Sequence, residues 1–535
     1  MIGVNCACVL IGALLLPNIV TGEKPLLKTR LGLIQGLEAD DGDYYMFLGI
    51  PYAKINESNL FGESLPHPPF DTIFEANDDS IMCPQREEFN QTIQGTINCL
   101  TLNIYVPKTA NSTNKLPVLL YVYGGNYIVG FNGRYMYGPK YLVRHDIIIV
   151  VFNYRLGPYG FLCLDIPEVP GNQGYKDQKN ALRWVYNYIE EFGGDRNKIT
   201  LDGHSFGAIS VDLLLHSMNE NEKLFDKVIL QSEGSLSPYA KLQRLHEKSV
   251  LKMARHLGTN TNDVRQAITF LSSVNSSLVI EASLKVSIVY SDCIEKTFNN
   301  AFKSMSNSDW NIKVPGAKNV SFMIGNTENE LIHVYGLDIP EISRDLDQIL
   351  RSSKYSPLTA IDTYEIAKII HGLSKMNGMY NRKIRNKLSQ YVGKMTYLRI
   401  SKLNMLKYLR GGARNVFNYM FSYEGQRNFL TNKLNLTLNE GATHADEISY
   451  LFDLFYMVEP SQGDRLIIDR MTTLWANFVK YGNPTPVTTD LLPVKWLPYT
   501  KEKQNFLDID TNMSLKSWAS KELIPFWNLF YKYGR

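Results

Sequence analysis

The chain of 535 residues has little cysteine and little net charge. Its 56 lysines and arginines nearly balance its 53 aspartates and glutamates, and the charges are spread along the sequence. One basic run, residues 382–387, is most simply the solvated face of a helix. Since no basic surface stands out, the sequence gives no indication of nucleic-acid binding.

The sequence contains one long apolar segment, near its start, and no other. Residues 2–16 are uncharged and mostly apolar, and Val20-Thr21-Gly22 supplies small residues for cleavage. An apolar run of about 15 residues is short for a membrane span, which needs roughly 20. It is typical of a signal peptide, although no Lys or Arg precedes it. We therefore expect a signal peptide over residues 1–22, no membrane anchor, and a secreted, extracellular single domain over residues 23–535.

Seven N-x-S/T sequons agree with export, because such sites are glycosylated in secreted proteins. The acceptor asparagines are Asn56, Asn90, Asn111, Asn275, Asn319, Asn435 and Asn512. Each is a candidate glycosylation site.

Four of the six cysteines lie beyond the expected signal peptide. Cys83 and Cys99 flank a short polar segment, which favours a local disulfide that would stabilise by ~3 kcal/mol through the unfolded state. Cys163 and Cys293 lie in apolar surroundings, so we expect both to be buried free thiols.

The stretch Gly203-His204-Ser205-Phe206-Gly207 fits the G-x-S-x-G pattern of a nucleophile elbow, where a strand turns sharply into a helix. By itself the pattern also fits an ordinary Gly/Ser turn. Its surroundings favour the elbow, because short apolar, β-branched runs typical of buried parallel strands lie on both sides. The predicted strands cover residues 118–123, 147–152, 199–201, 228–230 and 320–324.

Helical patterns alternate with these strands. Ala181, Val185 and Ile189 recur at helical spacing, and Gly193-Gly194 ends that pattern. A second helix is predicted over residues 208–216, directly after the elbow. The alternation predicts an α/β fold with a large, mostly parallel central sheet flanked by helices.

A serine hydroxyl becomes a strong nucleophile when an imidazole takes its proton and an acid orients that imidazole. After such an elbow the partners follow in the order Ser, acid, His. The downstream histidines are His333, His371 and His444. A helical pattern surrounds His371, whereas His444 lies in a glycine-containing loop that suits a base.

The acid has two candidates. Glu328 and Glu330 both follow the predicted strand 320–324, and the pattern alone does not choose between them. Donors for an oxyanion are expected in the glycine-rich loop Gly124-Gly125-Asn126, together with the backbone N–H of Phe206.

Together these segments resemble the type-B carboxylesterases, the cholinesterase-like branch of the α/β-hydrolases, and most of all the secreted insect-type enzymes. The resemblance spans nearly the whole mature chain and begins with MFLGIPYA. It continues through NCLTLNIYVP, NYRLGPYGFL, PGNQGYKDQKNALRWV, EFGGD, GHSFGA, GNTENE, GATHADEISYLF and WANFVKYGNP.

The resemblance assigns a role to each candidate site residue. It implies Ser205 as nucleophile, Glu330 as acid, His444 as base, and the backbones of Gly125, Asn126 and Phe206 as oxyanion donors. It also supports the Cys83–Cys99 disulfide and implies no metal or organic cofactor.

Several positions depart from the family pattern. Asn126, Phe206 and Leu331 stand where the family usually has small residues. A family ion pair is missing on both sides, at Leu60 and at Ile97-Asn98, which leaves no orphan charge. The second family disulfide is missing as well.

The expected function is therefore hydrolysis of small-molecule carboxylic esters through a Ser-His-Glu triad and an acyl-enzyme. The alternative is a catalytically weak or inactive binding or scavenging protein on the same fold. Choline esters are disfavoured, because the Cys83–Cys99 loop contains no tryptophan to face a quaternary ammonium. The sequence leaves the natural ester and the oligomeric state open.

Overall fold

The computed structural model describes residues 24–218, 222–232, 246–293, 295, 314–331, 333, 393, 397–436 and 441–518. The expected signal peptide, the basic run 382–387 and His371 lie outside these residues. The other candidate site residues named above fall within them.

Strands and helices are labelled in chain order across the described residues. The strands β1 to β18 are Leu26–Thr29, Gly32–Gln35, Leu37–Glu38, Tyr44–Pro51, Ala53–Lys54, Leu65–Pro66, Phe74–Glu75, Gln85–Arg86, Ile93–Gln94, Thr101–Pro107, Leu116–Val122, Ile148–Phe152, Gly194–His204, Lys227–Gln231, Ser321–Thr327, Asn415–Phe421, Asn505–Ile509 and Ser514–Ser517. The helices α1 to α11 are Arg134–Tyr137, Lys140–Val143, Gly157–Phe161, Gln173–Tyr188, Phe206–Ser217, Glu247–His256, Val264–Ser273, Ser276–Val286, Arg399–Arg410, Phe429–Lys433 and Gln462–Tyr481. Short 3₁₀ helices span Ile189–Phe192, Pro315–Ala317 and Ile448–Tyr450.

Eleven of the described strands form one sheet in the order β18-β17-β16-β15-β14-β13-β11-β12-β10-β4-β3. The run from β17 to β12 is parallel throughout. Antiparallel strands extend both of its edges. The five predicted strands are β11 to β15, with shifted boundaries, and the α/β class is confirmed.

Burial explains why these sequences form central strands. All residues of β12 and β14 are buried, as expected for parallel strands covered on both faces. Helix α4 turns Ala181 and Val185 into the core and continues as a 3₁₀ turn to Phe192. Gly193 then ends it at φ 81°, so the predicted helix and its glycine stop are confirmed.

Helix α11 packs against β11 and β13, the strands that lead to the candidate site. Its start is a capping box, in which Ser461 and Asp464 each accept a hydrogen bond from the other's backbone N–H. Gly482, in the left-handed conformation, ends the helix. Together these caps fix the helix boundaries.

Cys83 and Cys99 are joined by a disulfide, with their Cα atoms 4.9 Å apart. The expectation of free thiols at Cys163 and Cys293 is wrong, because these residues also form a disulfide. The fold brings them together across 130 residues of sequence. The Asn172 side chain holds the Cys293 backbone in place, donating to its C=O (2.9 Å) and accepting from its N–H (3.0 Å). Apolar surroundings suit a buried disulfide as well as a buried thiol, so they did not discriminate.

Candidate active site

Three functional candidates follow three strands of the parallel sheet. Ser205 directly follows β13, Glu330 lies just after β15, and His444 lies in the segment between β16 and α11. Strands β13 to β16 are neighbours and all parallel, so their carboxyl ends meet at one edge of the sheet. That edge is where open α/β sheets bind ligands.

The turn at Ser205 has the geometry of a nucleophile elbow. Its backbone lies at φ 54° and ψ −127° between β13 and α5, a conformation that costs a residue with a side chain about 1–3 kcal/mol. Two glycines make the turn sterically feasible. A Cβ on Gly203 would lie 2.5 Å from the carbonyl oxygen of Gly207, and one on Gly207 would lie 2.1 Å from that of Val122.

Ser205, His444 and Glu330 form one hydrogen-bonded line. The Nε2 atom of His444 lies 2.9 Å from Ser205 Oγ, and its Nδ1 atom lies 2.7 Å from Glu330 Oε2. Glu330 is 3% exposed, while Ser205 is 9% exposed. A serine, an imidazole and a carboxylate in this order can pass the serine proton to the imidazole and stabilise the resulting cation.

The two glutamates that the sequence left open have different surroundings. Glu330 faces His444, whereas Glu328 is exposed, and its carboxylate lies beside Gly441. The Glu328 backbone N–H donates to the carbonyl of Phe421 at 2.9 Å. The structure therefore brings Glu330, and not Glu328, to the imidazole.

His333 also lies beside His444, with the two rings stacked and their centroids 5.9 Å apart. Its Nδ1 atom lies 3.1 Å from Thr443 Oγ1. Burial lowers the pKa of His333 to about 3, so this ring is neutral at physiological pH. His333 borders the base instead of replacing it.

The expected oxyanion donors lie on two segments. Gly125 (φ 109°) and Asn126 (φ 56°) form a tight turn, in which the Gly125 carbonyl accepts from the N–H groups of Ile128 and Val129. Apart from the regular hydrogen bonds within helices and strands, the N–H groups of Gly125, Asn126 and Phe206 donate to no backbone carbonyl among the described residues. Phe206 begins α5, where N–H groups have no partner within the helix.

The glycine loop lies directly against the serine, since a Cβ on Gly124 would be 2.8 Å from Ser205 Cβ. Asn126 is exposed at the surface of this loop. The glycine loop and the start of α5 therefore both lie beside Ser205.

Two buried groups beside the imidazole were not found from the sequence. The His204 ring lies 5.0 Å from the His444 ring, and its Nε2 atom lies 3.8 Å from Glu447 Oε1. Burial lowers the pKa of His204 well below its usual value and raises the pKa of Glu447 well above its own. The lowered pKa favours the neutral imidazole at His204, and the raised pKa favours the protonated carboxyl at Glu447. A neutral His204 places no positive charge beside a cation on His444. Their only sequence signal was position, inside the elbow and three residues after the base.

Within the part of the chain that the structure describes, no group of three or more His, Cys, Asp or Glu side chains could hold a metal ion. Among these same residues, no helix is both long enough and apolar enough to cross a membrane.

Known proteins resemble this chain along most of its length. The sequence profile of the carboxylesterase family matches residues 23–527. A juvenile hormone esterase from Tribolium castaneum is 28% identical, over 87% of this chain and 85% of the relative. The bile salt-activated lipase of Homo sapiens is 27% identical, over 99% of this chain and 72% of the relative.

Solved structures show the same architecture. The crystal structure of juvenile hormone esterase from Manduca sexta, with OTFP covalently attached, has a TM-score of 0.78 at 25% identity and covers 95% of this chain and 100% of its own. The structure of PNB esterase has a TM-score of 0.74 at 21% identity, and the match covers 94% of this chain and 99% of that one. These likenesses confirm the α/β-hydrolase fold.

Proposed function

Because the chain belongs to the carboxylesterase family and is a carboxylic ester hydrolase, we propose that it works through a Ser205-His444-Glu330 triad and a covalent acyl-enzyme. The observation that carries this proposal is the continuous hydrogen-bonded line from Ser205 Oγ through both ring nitrogens of His444 to Glu330. The strained elbow, which places Ser205 between β13 and α5 and beside the glycine loop, supports it.

In the first half-reaction, Ser205 Oγ attacks the ester carbonyl carbon while His444 Nε2 takes the serine proton. The carbonyl oxygen becomes an oxyanion, which the backbone N–H groups of Gly125, Asn126 and Phe206 stabilise. The tetrahedral intermediate then collapses, His444 returns the proton to the leaving alcohol, and an acyl-serine remains.

In the second half-reaction, a water molecule gives a proton to His444 and attacks the acyl carbon. The second tetrahedral intermediate collapses as the bond from the acyl carbon to Ser205 Oγ breaks and His444 returns the proton to that oxygen, which releases the carboxylic acid and restores Ser205. Glu330 stabilises the imidazolium in both halves, while the neutral His204 and His333 add no competing charge.

The substrates are small-molecule carboxylic esters. One relative is named for juvenile hormone and another as a lipase, so both kinds of ester belong in a substrate survey. A kcat/KM series over esters of increasing acyl and alcohol length measures which side of the pocket is larger.

Residues 23–535 are proposed to form one secreted catalytic domain. In support, a single sheet contains strands from Leu37–Glu38 to Ser514–Ser517. The acceptor asparagines of all seven sequons are exposed, and both disulfides suit an oxidising compartment. Expression in a eukaryotic secretory system should give extracellular protein that starts near Glu23 and loses mass with peptide N-glycosidase.

Alanine substitutions test the catalytic assignment. Ser205→Ala and His444→Ala should each lower kcat on the order of 10⁶-fold while the protein stays folded, because triad members act as a unit. Ser217→Ala and His256→Ala are matched controls away from the line and should leave turnover within about twofold. Substantial turnover by folded Ser205→Ala would contradict the proposal.

A further inference from the structure

Tyr127 follows the glycine loop Gly124-Gly125-Asn126, which we call the oxyanion loop, and has an unusual backbone conformation. Its backbone lies at φ 58°, although the side chain is bulky and completely buried. A large residue in the left-handed region is a conformational outlier, and such strain persists where surrounding contacts enforce it. The contacts of Tyr127 show what enforces it.

The Tyr127 side chain reaches from the oxyanion loop to the helix after the nucleophile. Its hydroxyl donates to the backbone carbonyl of Phe206 at 3.1 Å and accepts from the hydroxyl of Tyr175 at 2.8 Å. Its ring stacks on Phe161, with centroids 4.2 Å apart, and meets the Phe206 ring edge-on at 4.7 Å. The Tyr127 carbonyl accepts from the N–H of Gly157 at 2.7 Å.

These contacts join the two halves of the oxyanion hole. Gly125 and Asn126 lie on the loop after β11, while Phe206 begins α5. An oxyanion donor is effective only within about 2.7–3.1 Å of the developing charge, so the spacing between the two segments matters. The hydrogen bond from the Tyr127 hydroxyl to the Phe206 carbonyl joins the loop after β11 directly to the start of α5.

We propose that Tyr127 is a positioning residue, which holds the N–H groups of Gly125 and Asn126 at the working distance from that of Phe206. The proposal rests on the proposed function, because it needs an oxyanion at this site. Tyr127 touches neither the substrate nor the reacting atoms, and acts through the backbone that it ties.

The informative variant is Tyr127→Phe, which removes the hydroxyl and keeps the ring. Ser210 Oγ still donates to the Phe206 carbonyl at 3.0 Å, so that carbonyl stays paired and we expect the variant to fold. Tyr52→Phe is the matched control. The buried Tyr52 hydroxyl also donates to a backbone carbonyl, that of Asn153 at 2.7 Å, but it joins no oxyanion donors.

Four values are measured: kcat, KM and the affinities of two inhibitors. The kcat value is calculated per active site, with the concentration of reactive Ser205 determined by titration with a fluorophosphonate. A trifluoromethyl ketone forms a tetrahedral adduct with an oxyanion, whereas the matching unfluorinated ketone does not. Tyr127→Phe should lower kcat and the trifluoromethyl ketone affinity about tenfold each, since it misplaces donors without deleting one. KM and the unfluorinated ketone affinity should stay within about twofold, and Tyr52→Phe should leave all four values within about twofold.

Two results overturn the proposal. In one, Tyr127→Phe keeps parental kcat and trifluoromethyl ketone affinity; in the other, Tyr52→Phe loses both to the same extent, which would make the effect one of general stability. If the parent protein has no Ser205 that reacts with the fluorophosphonate, the proposed function itself fails and the positioning role falls with it. A reactive parent with an unaffected Tyr127→Phe would refute the positioning role alone.

Discussion

Glu330 holds His444 with one carboxylate oxygen and anchors itself with the other. Oε2 lies 2.7 Å from His444 Nδ1, while Oε1 accepts from the backbone N–H of Thr327 at 2.9 Å and from the Asn326 side chain at 3.3 Å. A carboxylate fixed at both oxygens presents one orientation to the ring. The imidazole is therefore held with Nε2 towards Ser205.

This anchoring predicts a large effect of Glu330→Gln. An amide cannot stabilise the imidazolium and favours the wrong tautomer, so kcat should fall by roughly 10³–10⁴-fold. Glu328→Gln is the matched control, because Glu328 is exposed two residues away, and it should leave kcat within about twofold. Steady-state kinetics on one ester decides, and the reverse ranking would show that the acid is Glu328.

The buried carboxyl of Asp202, in β13, should make the free energy of unfolding depend on pH. Burial raises the pKa of Asp202 from 3.8 to about 8, although Gln231 donates to its carboxylate at 2.9 Å. Between these values the folded state keeps a proton that the unfolded state has released. Stability should therefore fall as pH rises from about 4 to about 8, and this contribution should be constant above that window.

Asp202→Asn should remove most of this slope, because the amide does not titrate. Urea unfolding of the parent and the variant at pH 5 and pH 8 measures the difference, which should reach at most about 4 kcal/mol. Equal pH dependence in the two proteins would show that Asp202 does not carry the effect.

The Cys163–Cys293 disulfide predicts a stability contribution larger than that of Cys83–Cys99. It closes a loop of 130 residues, against 16 for the other pair. In the chain-entropy account, replacing both members by serine should cost about 4–5 kcal/mol for the long loop and about 3 kcal/mol for the short one. Urea unfolding of the two double variants tests the ranking, and a long-loop variant as stable as the parent would contradict it.

The Asn126 side chain is expected to give the enzyme a preference for esters with small acyl groups. Its left-handed backbone is one that asparagine tolerates, so the N–H stays available while the side chain occupies space that glycine leaves empty. Asn126→Gly should shift the ratio of kcat/KM for a long-acyl over a short-acyl ester upward by about tenfold. Pre-steady-state bursts should show a larger change in deacylation than in acylation. An unchanged acyl ratio and burst would mean that this side chain has no such role.

Local patterns were enough to predict the elements that carry the site. The G-x-S-x-G glycines are required by backbone approaches of 2.5 Å and 2.1 Å, so that pattern reports a steric constraint within its own turn. The apolar runs likewise report burial, since they fall in the buried parts of β11 to β15. These signals are short in sequence and need no long-range information.

Contacts between distant segments could not be read in the same way. Glu328 and Glu330 share one strand end, and the carboxylate that meets His444 depends on where the distant segment after β16 places the imidazole. The pairing of Cys163 with Cys293 accompanies the packing of α3 against α8, which no local pattern encodes.

The proposed mechanism depends most on Ser205 being the residue that becomes acylated. The direct measurement is mass spectrometry of the active protein after reaction with a fluorophosphonate, with the modified residue identified in its proteolytic peptide. We predict one adduct, on Ser205, that forms in step with loss of esterase activity, is slowed by an ester substrate, and is absent in Ser205→Ala. An inactivated protein with its adduct on another residue, or an active protein that forms no adduct, would contradict the proposed mechanism.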